Sequence, residues 1–149
     1  MEQLIVGKSL EMQLAALLDT LPSDATVSYM VTRLNEGEEA TIVASSKETI
    51  VHTGASMVKT LILEYVFHLA AQEQLDLNDT IALSRSPRVE GAGALMELVG
   101  NHSFSYLELC RLMMVLSDNW ATNLLIQALG MENINARAEQ LGLEHFEIN

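Results

Sequence analysis

Two short groups of polar residues could together carry nucleophilic chemistry, and the first contains a serine and a lysine. Ser56 opens the longest apolar helical pattern, and Lys59 follows three residues later. One helical turn brings this spacing to one face, and a lysine withdrawn from water beside a hydroxyl can lose its proton and act as a base. The start of a helix also favours negative charge developing on the serine. Alternatively, Ser56 only caps the helix and Lys59 is solvated.

The second group is Ser117-Asp118-Asn119, which lies between two helical patterns. Short polar residues are common caps at such a junction, so this group alone is equally well explained by local structure. Both groups, however, lie at helix junctions, and their serines are 61 residues apart. Their occurrence together favours a single site over two unrelated caps.

Composition limits the other functions that the chain could have. Its 149 residues fit one domain, and 49% apolar against 19% charged residues predicts a folded chain. The net charge of -12 argues against binding to nucleic acid or to an anionic membrane. Residues 1–10 lack the pattern of a signal peptide, and no stretch reaches transmembrane length. We therefore expect a cytoplasmic protein as sequenced, or an extracytoplasmic one if a leader has been removed.

The sequence does not indicate a disulfide, a metal or a cofactor. A single cysteine, Cys110, excludes an internal disulfide, and its apolar surroundings predict a buried inert thiol. The four histidines lack the spacing of metal ligands. They are His52, His68, His102 and His145. We predict no bound metal and no cofactor.

The elements that would position these residues are a helix, a hairpin and a helical block. The spacing of leucines predicts a helix over 9–20 with Ser9 as its N-cap. Alternating β-branched residues predict strands over 26–34 and 40–45, joined by a turn at 35–37. Later helical patterns cover residues 56–74, 106–116, 119–129 and 132–141. No later segment predicts another strand, so the hairpin would lack partners.

With these motifs in place, the chain resembles the class A β-lactamase family of penicillin-recognising serine hydrolases. The similarity extends over roughly residues 10–149. The matching segments are Gly54-Ala55-Ser56-Met57-Val58-Lys59-Thr60-Leu61, Leu75-Asp76-Leu77-Asn78-Asp79, Gly91-Ala92-Gly93-Ala94-Leu95, residues 117–126, Asn133-Ile134-Asn135-Ala136 and Leu141-Gly142-Leu143. The resemblance implies an α+β, β-lactamase-like fold. We expect one incomplete domain over 1–149, with the helix and hairpin of its α/β lobe in 1–52, a mostly helical lobe in 53–149, and the C-terminal sheet strands missing.

The resemblance also implies a role for each polar residue. Ser56 would be the acyl-accepting nucleophile, and its backbone N–H one oxyanion donor. Lys59 would take or relay the Ser56 proton, and Ser117 would pass a proton to the departing lactam nitrogen. Asn119 would bind the substrate amide and help to hold Lys59. The implied substrate is a β-lactam or an acyl-D-Ala-type small molecule.

Two further roles implied by the resemblance are structural. Asp118 would turn the backbone between two helices, and Asn123 would anchor a loop that follows this chain. The deacylating glutamate of the family would come just after Asn149, since Glu147 aligns several residues too early. The Lys-Thr-Gly motif and the second oxyanion donor would come later still, because Lys59-Thr60 is followed by Leu61 in a helical position. We favour a fragment of a longer parent that does not turn over β-lactams efficiently alone.

Two other functions remain open from the sequence. A non-catalytic module could use the open apolar face of the helix and hairpin to bind a second copy, as a homo-oligomer, or another chain. A peptidase or transacylase of the same superfamily could act on D-Ala-D-Ala peptides. Ser-Asp-Asn favours the class A branch over the carboxypeptidases.

Overall fold

The chain divides into two compact units, Met1–His52 and Thr53–Asn149, and the described residues of the first form a helix and a hairpin. The structure is a computed structural model that describes residues 9–34, 36–37, 39–143 and 145–148. Leu10–Leu18 forms α1, and the Ser9 side chain accepts a hydrogen bond from the Met12 N–H at 3.4 Å. The predicted helix and its N-cap are therefore confirmed, with the helix two residues shorter than the pattern.

The predicted hairpin is also present in this unit. Tyr29–Arg33 (β1) pairs antiparallel with Thr41–Ser46 (β2), and the register shifts between Val31 and Thr32. Both strands begin later than the sequence indicates, and Asn35 of the predicted turn lies outside the described residues. Several large apolar side chains of α1 and the hairpin are exposed to solvent: Met12 by 57%, Leu17 by 61%, Met30 by 54% and Ile42 by 56%. Helix α1 buries none of its residues.

The second unit is built mainly from four helices, all of which the sequence predicts. Their bounds are Val58–Ala71 (α2), Tyr106–Val115 (α3), Asn119–Leu129 (α4) and Met131–Gln140 (α5). A capping box starts α3, because Ser105 and Glu108 bond each other's backbone N–H groups. The prediction that Ser56 opens this α-helix is wrong. Ser56 lies in a 3₁₀ turn, Ala55–Met57, that precedes the helix. None of the helices in the described ranges has the length and apolar character needed to cross a bilayer.

A small sheet in the second unit contradicts the expectation that no later segment forms a strand. Thr80–Ala82 (β3) pairs antiparallel with Ser103–Ser105 (β4), and Ile81 lies opposite Phe104. Strands of three residues are too short to show alternation. Their pairing is a tertiary contact between distant segments, and the burial of Ile81 stabilises it.

The core of the second unit joins all four helices. Ile62 of α2, Leu109 of α3, Leu125 of α4 and Ile134 of α5 are each 0% exposed. At the edge of this core, Arg137 of α5 donates hydrogen bonds to both carboxylate oxygens of Glu64 on α2. These bonds hold the pKa of Glu64 below its usual value. The packing thus fixes α2, which carries Lys59, relative to the other helices.

Cys110 lies in this core, 2% exposed, and burial raises the pKa of its thiol from 9.0 to about 11. We expect the native protein to resist iodoacetamide at pH 8, because a thiol with this pKa is ionised about 100-fold less there than an ordinary one. Mass spectrometry after timed labelling, with and without urea, measures the protection. Labelling of native protein as fast as that of unfolded protein would contradict the buried position.

Candidate active site

Three of the predicted polar residues meet around the amino group of the fourth, Lys59. Its Nζ donates hydrogen bonds to Ser117 Oγ at 2.7 Å and to the Ser117 carbonyl oxygen at 2.8 Å. It also reaches Asn119 Oδ1 at 3.1 Å and Ser56 Oγ at 3.4 Å. The two serine hydroxyls lie 3.2 Å apart. Two motifs that are distant in sequence therefore form one hydrogen-bonded group.

Lys59 is buried, with an exposed fraction of 5%, so the alternative of a solvated helix residue is wrong. Within the described ranges, no carboxylate lies at ion-pair distance from Nζ, and its hydrogen-bond partners are neutral oxygens. A buried lysine that has no carboxylate partner is costly for the fold. Such an arrangement is typical of functional sites rather than of ordinary packing.

Ser56 faces solvent at the start of α2, where a substrate can reach it. The preceding residue, Ala55, has a left-handed φ of 43°, which is strained for a residue with a side chain. The turn is closed by the Met57 N–H, which donates to the Gly54 carbonyl at 2.9 Å. This backbone places the Ser56 hydroxyl beside Lys59 while leaving it accessible.

Ser117 ends α3 with a left-handed φ of 53°. The Asp118 N–H then donates back to the Leu112 carbonyl at 3.2 Å. Because of this sharp reversal, both the carbonyl and the hydroxyl of Ser117 point to Lys59. The end of one helix thereby becomes part of the site.

Asp118 is 1% exposed, and its carboxylate accepts backbone hydrogen bonds on both oxygens. Oδ1 caps α4 by accepting from the Ala121 N–H at 2.9 Å. Oδ2 accepts from the N–H groups of Ala94 at 2.7 Å and Leu95 at 2.9 Å. A carboxylate is suited to this position because it accepts several hydrogen bonds and donates none.

The sequence of segment 91–95 resembles that of the family but does not predict a role for it. In the structure it lies against the Ser117-Asp118-Asn119 turn, and the Asn119 N–H donates to the Ala92 carbonyl at 2.9 Å. Gly93 has a φ of +133°, and a Cβ there would lie 2.3 Å from the Asp118 carboxylate. Only glycine permits this approach. The glycines of a polar stretch are the signal that could have indicated such a contact.

Asn123 and Trp120 also lie on α4 but take no part in the hydrogen bonding around Lys59. The Asn123 side chain is half-buried and has no hydrogen-bond partner among the described residues, so its expected anchoring role stays a prediction. Trp120 packs against the core, although its buried indole Nε1 likewise finds no partner within those ranges. In the part of the chain that is described, no three His, Cys, Asp or Glu side chains are grouped to hold a metal.

Comparison with known proteins shows the family to which the chain belongs. A family model described as the beta-lactamase enzyme family matches residues 9–149. Beta-lactamase BRO-1 of Moraxella catarrhalis is 31% identical over 97 residues, which cover 60% of this chain and 31% of that protein. The chain therefore spans about a third of this curated relative.

Solved structures give the same result for the fold. PBP-A is similar with a TM-score of 0.75 and 26% identity, over 93% of this chain and 51% of that one. A mutant of PBP-A, solved as an acyl-enzyme complex with penicillin G, gives a TM-score of 0.76 at 28% identity, over 94% and 52%. A beta-lactamase from Sphaerobacter thermophilus DSM 20745 gives 0.71 at 25%, over 82% and 44%. The predicted α+β, β-lactamase-like fold is confirmed, and the chain spans about half the length of these structures.

Proposed function

Because the chain belongs to the beta-lactamase enzyme family, we propose that it carries the acylating residues of a class A serine β-lactamase, with Ser56 as the nucleophile. One observation supports this most directly. The buried Lys59 Nζ lies within hydrogen-bonding distance of both Ser56 Oγ, at 3.4 Å, and Ser117 Oγ, at 2.7 Å. A base within reach of the nucleophile and of a second proton carrier is the arrangement that acyl transfer requires.

In the proposed acylation, Ser56 Oγ attacks the lactam carbonyl carbon. Its proton passes to neutral Lys59, either directly or through Ser117, whose hydroxyl lies 3.2 Å from Ser56 Oγ. The tetrahedral oxyanion is held by the Ser56 N–H and a second donor. Ser117 then gives a proton to the lactam nitrogen and regains one from Lys59, while the carbon–nitrogen bond breaks. Asn119 orients the substrate amide, and the product is a Ser56 ester.

Hydrolysis of that ester would complete the reaction and release the ring-opened acid. We propose that the deacylating base and the second oxyanion donor belong to residues that correspond to the other half of the similar structures. Residues 1–149 alone would then acylate weakly or not at all, since part of the oxyanion hole is missing. The acid and the donor are expected in the complete gene product.

A fluorescent penicillin tests the proposal on the complete gene product. We expect a covalent adduct that peptide mass spectrometry places on Ser56, and complete loss of labelling in Ser56→Ala. Ser84→Ala, an exposed serine in the same unit, is the matched control and should label normally. Unlabelled wild-type protein, or label retained in Ser56→Ala, would overturn the assignment. Equal thermal unfolding of both variants excludes misfolding as the cause.

The likeness to PBP-A favours one alternative, in which the acyl-enzyme is stable or the substrate is an acyl-D-Ala-D-Ala peptide. The same four side chains serve either reaction. Product release discriminates between them. Many ring-opened penicillin molecules released per enzyme indicate a β-lactamase, whereas one bound acyl group together with D-Ala release from a peptide indicates a peptidase.

The exposed apolar side chains of α1 and the hairpin favour a second alternative, a self-associating module in which a second copy covers them. Light scattering over a range of concentrations measures the oligomeric state. A monomer that does not bind an apolar dye would count against this alternative. A dimer that also labels with penicillin would combine both functions.

A further inference from the structure

We propose that Gly91 is a positioning residue for substrates with an acylamino side chain, acting through the amide of Asn119. This inference rests on the proposed function, because it assigns the substrate amide to Asn119. Gly91 has a φ of +116°, and a Cβ at this position would lie 2.5 Å from Asn119 Nδ2. The missing side chain therefore leaves the space that the Asn119 amide occupies.

The Asn119 side chain is held unequally at its two ends. Oδ1 accepts from Lys59 Nζ at 3.1 Å, whereas Nδ2 donates to the Glu90 carbonyl at 3.4 Å. The first bond has an ordinary length, and the second is long and weak. Nδ2 is thus the end that is available to donate to a substrate carbonyl. Its direction depends on the backbone at Glu90 and Gly91.

A Cβ at residue 91 would disturb this end of the amide and not the other. Nδ2 has to move by roughly 1 Å to restore ordinary contact, since 2.5 Å is far inside the normal packing distance. The Asn119 backbone cannot follow, because its N–H donates to the Ala92 carbonyl. The Asn119 side-chain amide would therefore rotate while Oδ1 keeps its hydrogen bond to Lys59. Nδ2 would then point away from its present direction.

The loss should depend on the substrate. A 1 Å displacement of a positioning group can lower a rate by about 100-fold, so we expect Gly91→Ala to lower acylation by penicillin G by about 10- to 100-fold. 6-Aminopenicillanic acid has the same reactive ring but no acyl group on its side-chain nitrogen. Its acylation should change by less than about 3-fold, because no substrate carbonyl is present for Asn119 to bind.

The experiment uses the complete gene product and measures second-order acylation constants for both compounds by competition with a fluorescent penicillin. Gly100→Ala is the matched control, because Gly100 has a similar φ of +98° but nothing within 4 Å of its Cβ position. It carries the same backbone strain without the contact. The expected result is a selective loss for penicillin G in Gly91→Ala and none in Gly100→Ala.

A wild-type protein that does not acylate would overturn the proposed function itself. A second measurement tests the role of Gly91 in that case as well. The side-chain ¹H–¹⁵N resonances of Asn119, assigned through Asn119→Ser, report its position directly. They should shift in Gly91→Ala and stay in place in Gly100→Ala. Unshifted resonances, or equal losses for the two compounds, would overturn the role of Gly91 even where Ser56 acylates normally.

Discussion

In the complete gene product, Lys59→Met should lower the rate of acylation of Ser56 by about 100- to 10,000-fold, the range expected for the loss of a general base. Nζ is the only atom in the described structure that touches the hydroxyls of both Ser56 and Ser117, and methionine offers no proton acceptor of comparable strength. Methionine also has a similar length and suits a position that is 5% exposed. The variant should therefore fold.

Lys59→Arg separates proton transfer from charge. Arginine keeps the positive charge and the hydrogen bonds to oxygen but stays protonated in proteins, so it cannot take the serine proton. We expect it to acylate as slowly as the methionine variant. Stopped-flow labelling with a fluorescent penicillin gives both rate constants, and thermal unfolding confirms the fold. An arginine variant within about 10-fold of the wild type would show that Lys59 supplies charge rather than a base.

Asp118→Ala should cause the largest loss of stability among the site residues. The change removes the cap of α4, worth about 1 kcal/mol. It also leaves the N–H of the buried Leu95 without its acceptor, at about 1–3 kcal/mol, and the N–H of Ala94, whose hydrogen bond is only part-buried, at a smaller cost. The cap and the Leu95 N–H together cost about 2–4 kcal/mol, a large part of the 5–15 kcal/mol that is typical of a domain. The expected outcome is unfolding at much lower urea concentration.

Asp76→Ala is the control for this prediction. Asp76 also accepts a backbone hydrogen bond on its carboxylate, from the Asn78 N–H at 2.9 Å, but it is exposed. Water replaces the lost acceptor there, so we expect a change of no more than about 1 kcal/mol. Urea unfolding followed by circular dichroism measures both variants. Equal small effects would show that segment 91–95 does not depend on Asp118.

Local chemistry explains which parts of the fold could be predicted from the sequence. Helix α4 has the predicted bounds, because Asp118 caps its first turn and Gly130, with a φ of +86°, ends it. Helix α1 begins at Leu10 for the same reason, because Ser9 caps it. The hairpin was recognisable from its alternating β-branched residues. Such signals act within a few residues and do not depend on distant contacts.

The parts that could not be predicted depend on contacts between distant segments. The pairing of Ile81 with Phe104 decides the second sheet, although neither three-residue strand is distinctive alone. Helix α2 begins two residues after the predicted start at Ser56, because the left-handed backbone at Ala55 leads into a 3₁₀ turn that holds Ser56. A helical pattern contains no information about either effect.

The sequence by itself determined which residues are proposed as reactive groups, since Ser56-x-x-Lys59 and Ser117-Asp118-Asn119 supply the residue types and spacing of a nucleophile, a base and their partners. Only the tertiary structure decided that Lys59 is buried, that both serines lie within hydrogen-bonding distance of it, and that Asp118 joins segment 91–95 to the site. The physical reason is that burial and convergence arise when helices pack. Lys59 would be solvated on an isolated helix. It is buried and hydrogen-bonded in the site because the junction of α3 and α4 packs beside it.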